Sequence, residues 1–502
     1  MKKISNILIA GILSACFILL NAGCTKILDK QTPTSSISNA IFWKTSNDAE
    51  SVLTGMYIKL RNQTNQNIFM LGEGRSETLD RGTAGTLQYE TYYENTLTSF
   101  SAALVNWGDL YNIINHANLL LKYVPTITFP SEAAKKQVMA QAYTMRAFTY
   151  FVLTRTWGAV PIRKEPIEEY DPANIQVERS PQAEVFALIK ADLNTGIEMF
   201  SSNDFPAGRN RWSKPSAYAL KADVYLWTGK LLNGGPADFT TALEACNAVQ
   251  TSDVLLQPNF GDIFRYTNKG NKEVMMAVLY DASIPTADNF PRYGSISQVS
   301  FASLNVSQAT LAAVGSPPGE NSVYTPSATV RSQFSIDDQR RNATFLELFQ
   351  RDATGTVSTY NTSIINKGRG TVINGVRFFA DDVVLYRYAD VLTMKAEAKN
   401  ALGQDPSTEM NMVRQRAYGT NFAANAFVAG SKAQNDDAIL KERLLELAFE
   451  GKRWWDLVRF GKVFELVPEY KGQAPNANVL VFPIHADVIG RETLIKQNTG
   501  WQ

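Results

Sequence analysis

Groups able to do proton or metal chemistry are few in this chain and far apart. Histidine, the side chain best suited to proton transfer near neutral pH, occurs only as His116 and His485 among 502 residues. A Ser-His-acid triad would need one of them as its base, and there is no Gly-x-Ser-x-Gly elbow to present a nucleophile. His116 falls within a helical stretch, where a hydrogen-bonded structural role is expected. An HExxH pair, a Cys-x-x-Cys, an EF-hand loop, a Walker A loop and a dinucleotide fingerprint are all missing. No metal and no cofactor is therefore expected, and Gly368-Arg369-Gly370 reads only as a loop. Three pairs of adjacent aspartates, Asp337-Asp338, Asp381-Asp382 and Asp436-Asp437, bring carboxylates together. A glycosidase needs just two, roughly 5–10 Å apart. Adjacent acids more often mark helix starts and solvated turns, so no residue is expected to be catalytic.

Aromatic rings are the more informative chemistry. Phe, Tyr and Trp make up 11% of the chain, and not all fall on helical stripes. Tyr89, Tyr92, Tyr93 and Phe100 lie in a stretch without helical period, and Phe290, Tyr293 and Tyr324 lie in a second one. Rings on loops can offer flat apolar faces to the C–H faces of a sugar, while Asp80, Arg81 and Asn95 could orient its hydroxyls. These ten residues form the expected ligand-binding set. The plain alternative is that the rings cover a helical core from outside.

The elements that must position them are mostly helices. Trp107, Leu110, Ile114, Ala117, Leu121 and Val124 recur every three or four residues and share one face. Ser131 is placed to cap a second helix with the stripe Val138, Ala142, Met145, Thr149, Val152. Ser180-Pro181 opens a third, with Val185, Ile189, Leu193 and Ile197, and Ser213-Lys214-Pro215 opens a fourth that ends near Gly229. Leu385–Leu402, closed by Gly403, then about 407–418 and 437–460 read as further helices. Short breaks between them imply antiparallel hairpins stacked like tetratricopeptide repeats, although no clean 34-residue repeat is present. Between about 254 and 379 the character changes. Lys272–Tyr280 suggests a strand, and Asn374-Gly375 signals a tight hairpin. The stretch from Asp281 to about Thr329 is rich in Ser, Thr, Asn, Gly and Pro. The expected fold is mainly α, a helical-hairpin solenoid with a smaller irregular region of short β-strands and long loops.

The ends and the charge bound the compartment. Lys2 and Lys3 precede an apolar stretch from Ile4 to Leu20, too short to span a membrane with ease and followed by Ala22-Gly23-Cys24. Residues 1–23 read as a signal peptide. Cys16 also matches a lipoprotein processing site, but cleavage there would leave the mature chain starting on Phe17-Ile18-Leu19-Leu20. Cys24 is preferred as the lipidated residue, and two acyl chains on it would give stable anchoring. Cys246 is then the sole internal cysteine, so a packed core rather than disulfides must hold the chain. Removing residues 1–23 takes away two lysines and no acid, changing the formal charge from +1 to −1. A near-neutral surface has no footprint for nucleic acid. The expected organisation is a single domain over 24–502, with helical parts at about 24–250 and 381–502 around a loop-rich and β-rich part at about 251–380.

Several stretches resemble one family closely. Leu385-Tyr386-Arg387-Tyr388-Ala389-Asp390-Val391-Leu392, then Met394-Lys395-Ala396-Glu397-Ala398 and Val413-Arg414-Gln415-Arg416-Ala417, are similar to the C-terminal signature of the SusD/RagB family. So is the run ERLLELAFEGKRWWDLVR from Glu442 to Arg459. Ala140-Gln141-Ala142, Arg146-Ala147-Phe148 and Trp157-Gly158-Ala159-Val160-Pro161 match its N-terminal signature, and Phe42-Trp43-Lys44 with Gly55-Met56-Tyr57 its opening helix. Cys24-Thr25-Lys26-Ile27-Leu28-Asp29 resembles the family's mature start, and Gln497-Asn498-Thr499-Gly500-Trp501 its close. Two departures, His485 in place of a second proline and Arg491 in place of asparagine, bear on a local turn.

The resemblance implies a cell-surface lipoprotein of the outer membrane, lipid-anchored through Cys24, that acts as the lid of a SusC-like TonB-dependent transporter. It implies capture of an oligosaccharide on loops carried by a tetratricopeptide-like scaffold. A peptide-binding lid, or a non-catalytic scaffold for transporter assembly, are the alternatives. Glu442, Arg443, Glu446, Glu450, Arg453 and Asp456 sit at helical spacings that permit pairing. They are expected to lock helices together, because an unpaired buried charge is costly.

Overall fold

The computed structural model describes residues 42–501 except 85–87, 170–174, 285–289, 297, 303, 305, 316–318, 320, 321 and 353. Cys24 and the signal segment lie outside the described residues, among which no helix is long and apolar enough to cross a membrane. In chain order the main elements begin with α1 (Ser46–Thr64), α2 (Asn67–Glu73), β1 (Leu79–Arg81), α3 (Gly108–Tyr123), α4 (Glu132–Trp157), α5 (Gln182–Met199), α6 (Lys214–Leu231) and α7 (Gly235–Gln250). They continue with β2 (Val274–Val278), β3 (Tyr324–Pro326), β4 (Phe345–Arg351), β5 (Val357–Ile365), β6 (Thr371–Ile373), β7 (Val376–Phe378) and β8 (Val383–Arg387). Four helices close the fold, α8 (Tyr388–Ala401), α9 (Ser407–Tyr418), α10 (Lys432–Leu447) and α11 (Arg453–Phe460).

Each helix packs on the next in a continuous series: α1 on α3, α3 on α4, α4 on α5, α5 on α6, α6 on α7, α7 on α8, and α8 on both α9 and α10. This is a tetratricopeptide-like helical scaffold with a smaller β-containing region. Ser131 caps α4, its hydroxyl accepting the Ala134 amide at 3.1 Å. Every side chain of α4 from Thr144 to Trp157 is buried, so this helix is enclosed on all sides and not only along its apolar stripe. Its Arg146 makes two 2.7 Å bonds to Asp192 of α5. His116 donates from Nδ1 to the Asn112 carbonyl at 2.8 Å, a structural contact inside α3.

Three boundaries differ from the sequence reading, each for a tertiary reason. Ser180 does not cap α5; its backbone bridges Val160, and Pro181 takes the cap position. Leu385-Tyr386-Arg387 belong to β8, paired antiparallel with β2 between buried surfaces, and the helix starts only at Tyr388. The stretch 437–460 is two helices. The first begins at Lys432 under a Ser431 cap, and the chain breaks at Phe449 and Gly451, which have φ of 63° and 70°. The Glu73 carboxylate occupies that break and accepts the amides of Phe449, Gly451, Lys452 and Arg453 at 3.0–3.4 Å. The β6–β7 hairpin turns on Asn374-Gly375, with φ of 50° and 78°, as a type I′ turn requires.

The charged signature residues are buried and paired. Arg340, Arg387, Arg414, Arg416 and Lys367 share the carboxylates of Asp338, Glu273, Glu442, Glu446 and Glu450. Five cations meet five anions, so the set is balanced. Arg443 bridges Asp390 and Asp456 at 2.8 Å, and Arg459 bridges Glu397, Asp456 and Asp223 at 2.9–3.0 Å. Arg453 reaches Glu77, tying α11 to the loop after α2.

Acid titration follows from the signs of these couplings. Burial alone would raise Asp390, Glu397, Glu446 and Glu450, but neighbouring cations outweigh it and hold all four below the usual carboxylate range. Their contribution is full above the unfolded values of 3.8 and 4.5 and is lost as pH falls through the folded ones. Glu73 and Asp381 run the other way. Burial pushes each up to about 7, against the amides that bind them, so stability grows as pH falls from about 7 toward their unfolded values. The melting temperature is therefore expected to peak at about pH 5 and to fall steeply below about pH 4. Thermal melts followed by circular dichroism across that range test this, and a melting temperature still rising at about pH 3 would contradict it.

Candidate functional site

The aromatic residues expected on the ligand surface are mostly inside. Tyr92 and Tyr324 have no exposed area, and Tyr89, Tyr93 and Phe290 keep 7% or less. Phe290 stacks on Phe69 of α2 with centroids 4.0 Å apart, and Tyr89 sets its edge against Tyr293 and Tyr324. The Tyr92 hydroxyl donates to the Ala103 carbonyl and accepts the Val105 amide, while that of Tyr324 donates to the Phe290 carbonyl at 2.9 Å. Burial raises all four tyrosine phenols. These five rings are buried in the core, and Tyr89, Tyr92, Tyr324 and Phe290 pack against other rings there. The expectation that they stack on a ligand is corrected accordingly.

Asn95 also has a structural task. At φ 52° its side chain brackets Arg75, accepting from Nε at 2.9 Å and donating to the Arg75 carbonyl at 3.2 Å. Arg75 is wholly buried and lies 4.2 Å over the Trp454 ring. The remaining members do meet solvent. Asp80 and Arg81 are exposed on β1, with Arg81 3.5 Å from Glu90, and Tyr293 is half-buried. Phe100 is 81% exposed on a pinned turn, where the Ser99 carbonyl accepts the Ala486 amide and the Phe100 amide donates to Thr98 Oγ1.

An open cleft lies on the other side of the covered rings. Phe264 lines it and also a small adjoining pocket with Phe290 and Pro291. The cleft has a volume of about 660 Å³, within the usual range for small-molecule sites. Its walls come from four separate segments: 259–267, the short helix Gln308–Val314, 342–346, and 366–371 with Asp381. Phe264 and Tyr266 supply rings, and Asn259, Asn342 and Asn366 supply carboxamides. The Asn259 oxygen is taken by the Gly261 amide and the Asn366 nitrogen by the Asn342 carbonyl. Arg265 and Arg369 are its cations and Asp381 its one acid. A wider hollow of about 960 Å³ is bounded by Ile162–Glu169 and Val177, with no facing wall among the described residues.

Gly368 and Gly370 hold Arg369 between two left-handed backbone positions, φ 65° and 79°, and a Cβ on Gly370 would sit 2.0 Å from the Phe378 carbonyl. The sequence offered only that glycine flank as a sign of the cleft, because its walls are separate short segments scattered between Asn259 and Asp381. Among the described residues no cluster of three or more His, Cys, Asp or Glu is arranged to hold a metal ion. Of the three acid pairs, Asp338 is committed to Arg340, Asp382 to Lys269 and Asp436 to Lys230.

Comparison with known proteins adds relatives along nearly the whole length. A family model described as the SusD family matches residues 320–501, and one described as "Starch-binding associating with outer membrane" matches 26–226. SusD-like protein P38 of Formosa agariphila is 28% identical, over 94% of this chain and 95% of its own. Among solved structures, B. fragilis NanU superposes with a TM-score of 0.83 at 31% identity, covering 94% of this chain and 99% of that one. A SusD superfamily protein from Bacteroides vulgatus gives 0.81 at 30% identity, covering 92% and 100%.

Proposed function

This chain belongs to the SusD family, and from that premise we propose that it is a glycan-binding lipoprotein of the outer membrane, exposed at the cell surface. It is anchored through Cys24 and serves as the lid of a SusC-like TonB-dependent transporter, passing on oligosaccharide that it does not cleave. The observation that carries the glycan reading is the open cleft with Phe264 and Tyr266 among three asparagine carboxamides. Rings for C–H faces and amides for hydroxyl pairs are the chemistry a sugar needs. The description of the model matching 26–226, starch binding at the outer membrane, supports the same reading. Phe100, Asp80, Arg81 and Tyr293 remain candidates for a further contact surface.

The test is a glycan and oligopeptide panel on the purified mature protein, with product analysis of every glycan bound. Oligosaccharide binding with intact product is expected, and Asn342→Ala should weaken it by about five-fold, roughly one hydrogen bond. Binding confined to peptides, or cleavage of the bound glycan, would overturn the reading. The anchor is tested separately. Cys24→Ser should move the protein from the membrane pellet to the soluble fraction and abolish palmitate labelling; a labelled, pelleted variant would place the acyl chains elsewhere.

A further inference from the structure

The cleft gathers more positive charge than the fold alone requires. Arg265 and Arg369 line it, and Arg377 stands directly behind. A Cβ built on Gly315 would lie 2.9 Å from Arg377 Nη2 and 3.7 Å from Arg369 Nη2, so the two guanidiniums converge on that glycine. Asp381, buried and bonded to the Gly370 amide at 2.5 Å, is the single acid in the lining, while Asp262 is held by Arg265 at 2.7 Å. A structural account exists for part of this. Arg369 donates to the Ala313 carbonyl and Arg377 to the Val314 carbonyl, at the end of the helix Gln308–Val314. Placing several guanidiniums together is opposed by their mutual repulsion.

The electrostatics run in the same direction. Burial, together with Arg377 and Arg265, lowers Arg369 to about 10, and Asp381 relieves only part of it. It therefore stays charged at neutral pH while being under-compensated. Of five guanidinium donors, a single one of Arg369 is used among the described residues. The rest of its fork is available where planar, two-point recognition of an anion is at its strongest.

Building on the glycan reading of this cleft, we infer that its ligand is an acidic carbohydrate, with Arg369 as the side chain that meets a carboxylate or sulfate group while Phe264, Tyr266 and the asparagines hold the ring. A carboxylate suits the fork of Arg369 alone. A sulfate, with a third oxygen, would also engage Arg265 at the rim.

The experiment is calorimetric titration of the mature protein with tetragalacturonate, a sulfated chondroitin tetrasaccharide and neutral cellotetraose, preceded by an array of uronate-bearing, sulfated and neutral oligosaccharides. Acidic ligands are expected to bind at least ten-fold more tightly than neutral ones. Arg369→Gln should remove that advantage, lowering acidic-ligand affinity at least ten-fold and by more than it changes neutral binding. If Arg369→Gln does not fold, the wild-type protein still decides. Raising salt from about 0.05 M to about 0.5 M should weaken acidic ligands several-fold and spare neutral ones. Which acidic ligand binds separates uronate from sulfate. Neutral glycans bound as tightly as acidic ones, or acidic binding indifferent to Arg369→Gln and to salt, would overturn this inference and leave the glycan reading standing. Binding of no oligosaccharide at all would remove the glycan reading itself, and this inference with it.

Discussion

Glu446→Gln is expected to destabilise the protein by roughly 3 to 5 kcal/mol, the cost of breaking a buried ion pair from one side. The Glu446 side chain has no exposed area, and its two oxygens serve three guanidiniums: Arg387 at 2.6 Å, Arg340 at 3.0 Å, and Arg416. Gln keeps the volume and one acceptor but removes the charge, leaving five cations against four carboxylates in a buried region. Urea unfolding measures the change. Glu465→Gln provides the scale, because its pair with Lys462 is solvent-exposed and such pairs contribute about 0 to 1 kcal/mol. Equal midpoints for the two variants would mean that the buried set is not a unit. The result bears on function as well as stability, since this network joins α9 and α10 to β8 and to Lys367, one residue before the Gly368-Arg369-Gly370 turn of the cleft.

Only part of that network was legible in the sequence: Glu442, Glu446 and Glu450 recur every four residues and must be paired if buried, but their partners Arg340, Arg387 and Lys367 lie far from them along the chain and no local pattern names them. The Ser131 cap and the Asn374-Gly375 turn were legible because each acts within four residues of itself, whereas Ser180 was drawn away from its helix by the distant Val160. Leu385 to Arg387 misled because an apolar run has the same composition in a buried strand as in a buried helix. Pairing with Val274–Val278, more than a hundred residues away, is what decides it. The rings misled in a different way. A loop without period says nothing about which side of it faces the core, and Tyr92 and Phe100, eight residues apart, ended with no exposure and 81% exposure. The cleft lay beyond reach because the helix Gln308–Val314 and the loop 366–371 meet through contacts such as Arg369 to the Ala313 carbonyl, which no local pattern encodes.

Gly72→Ala is expected to cost on the order of 3 kcal/mol, the upper range for overpacking, although alanine is the better helix former. A Cβ at position 72 would fall 1.9 Å from the Gly451 carbonyl oxygen and 2.6 Å from Cζ3 of Trp455. The first of these is backbone and cannot rotate away. Moving α2 outward to make room would draw Glu73 from the break between α10 and α11, where its carboxylate accepts four amides. Buried amides left without an acceptor would add to the steric cost. Gly490→Ala is the contrast, since nothing lies within 4 Å of its would-be side chain in the helix Ala486–Arg491. That substitution should be neutral or stabilising by about 0.5 kcal/mol, through the unfolded chain. Chemical denaturation of the two variants reads the difference directly, and equal stability would mean that α2 and the 449–453 break do not touch. Their contact matters because α2 leads through Glu77 into β1. The exposed pair Asp80 and Arg81, proposed above as part of a further contact surface, is thereby tied to the signature helices through Glu77 and Arg453.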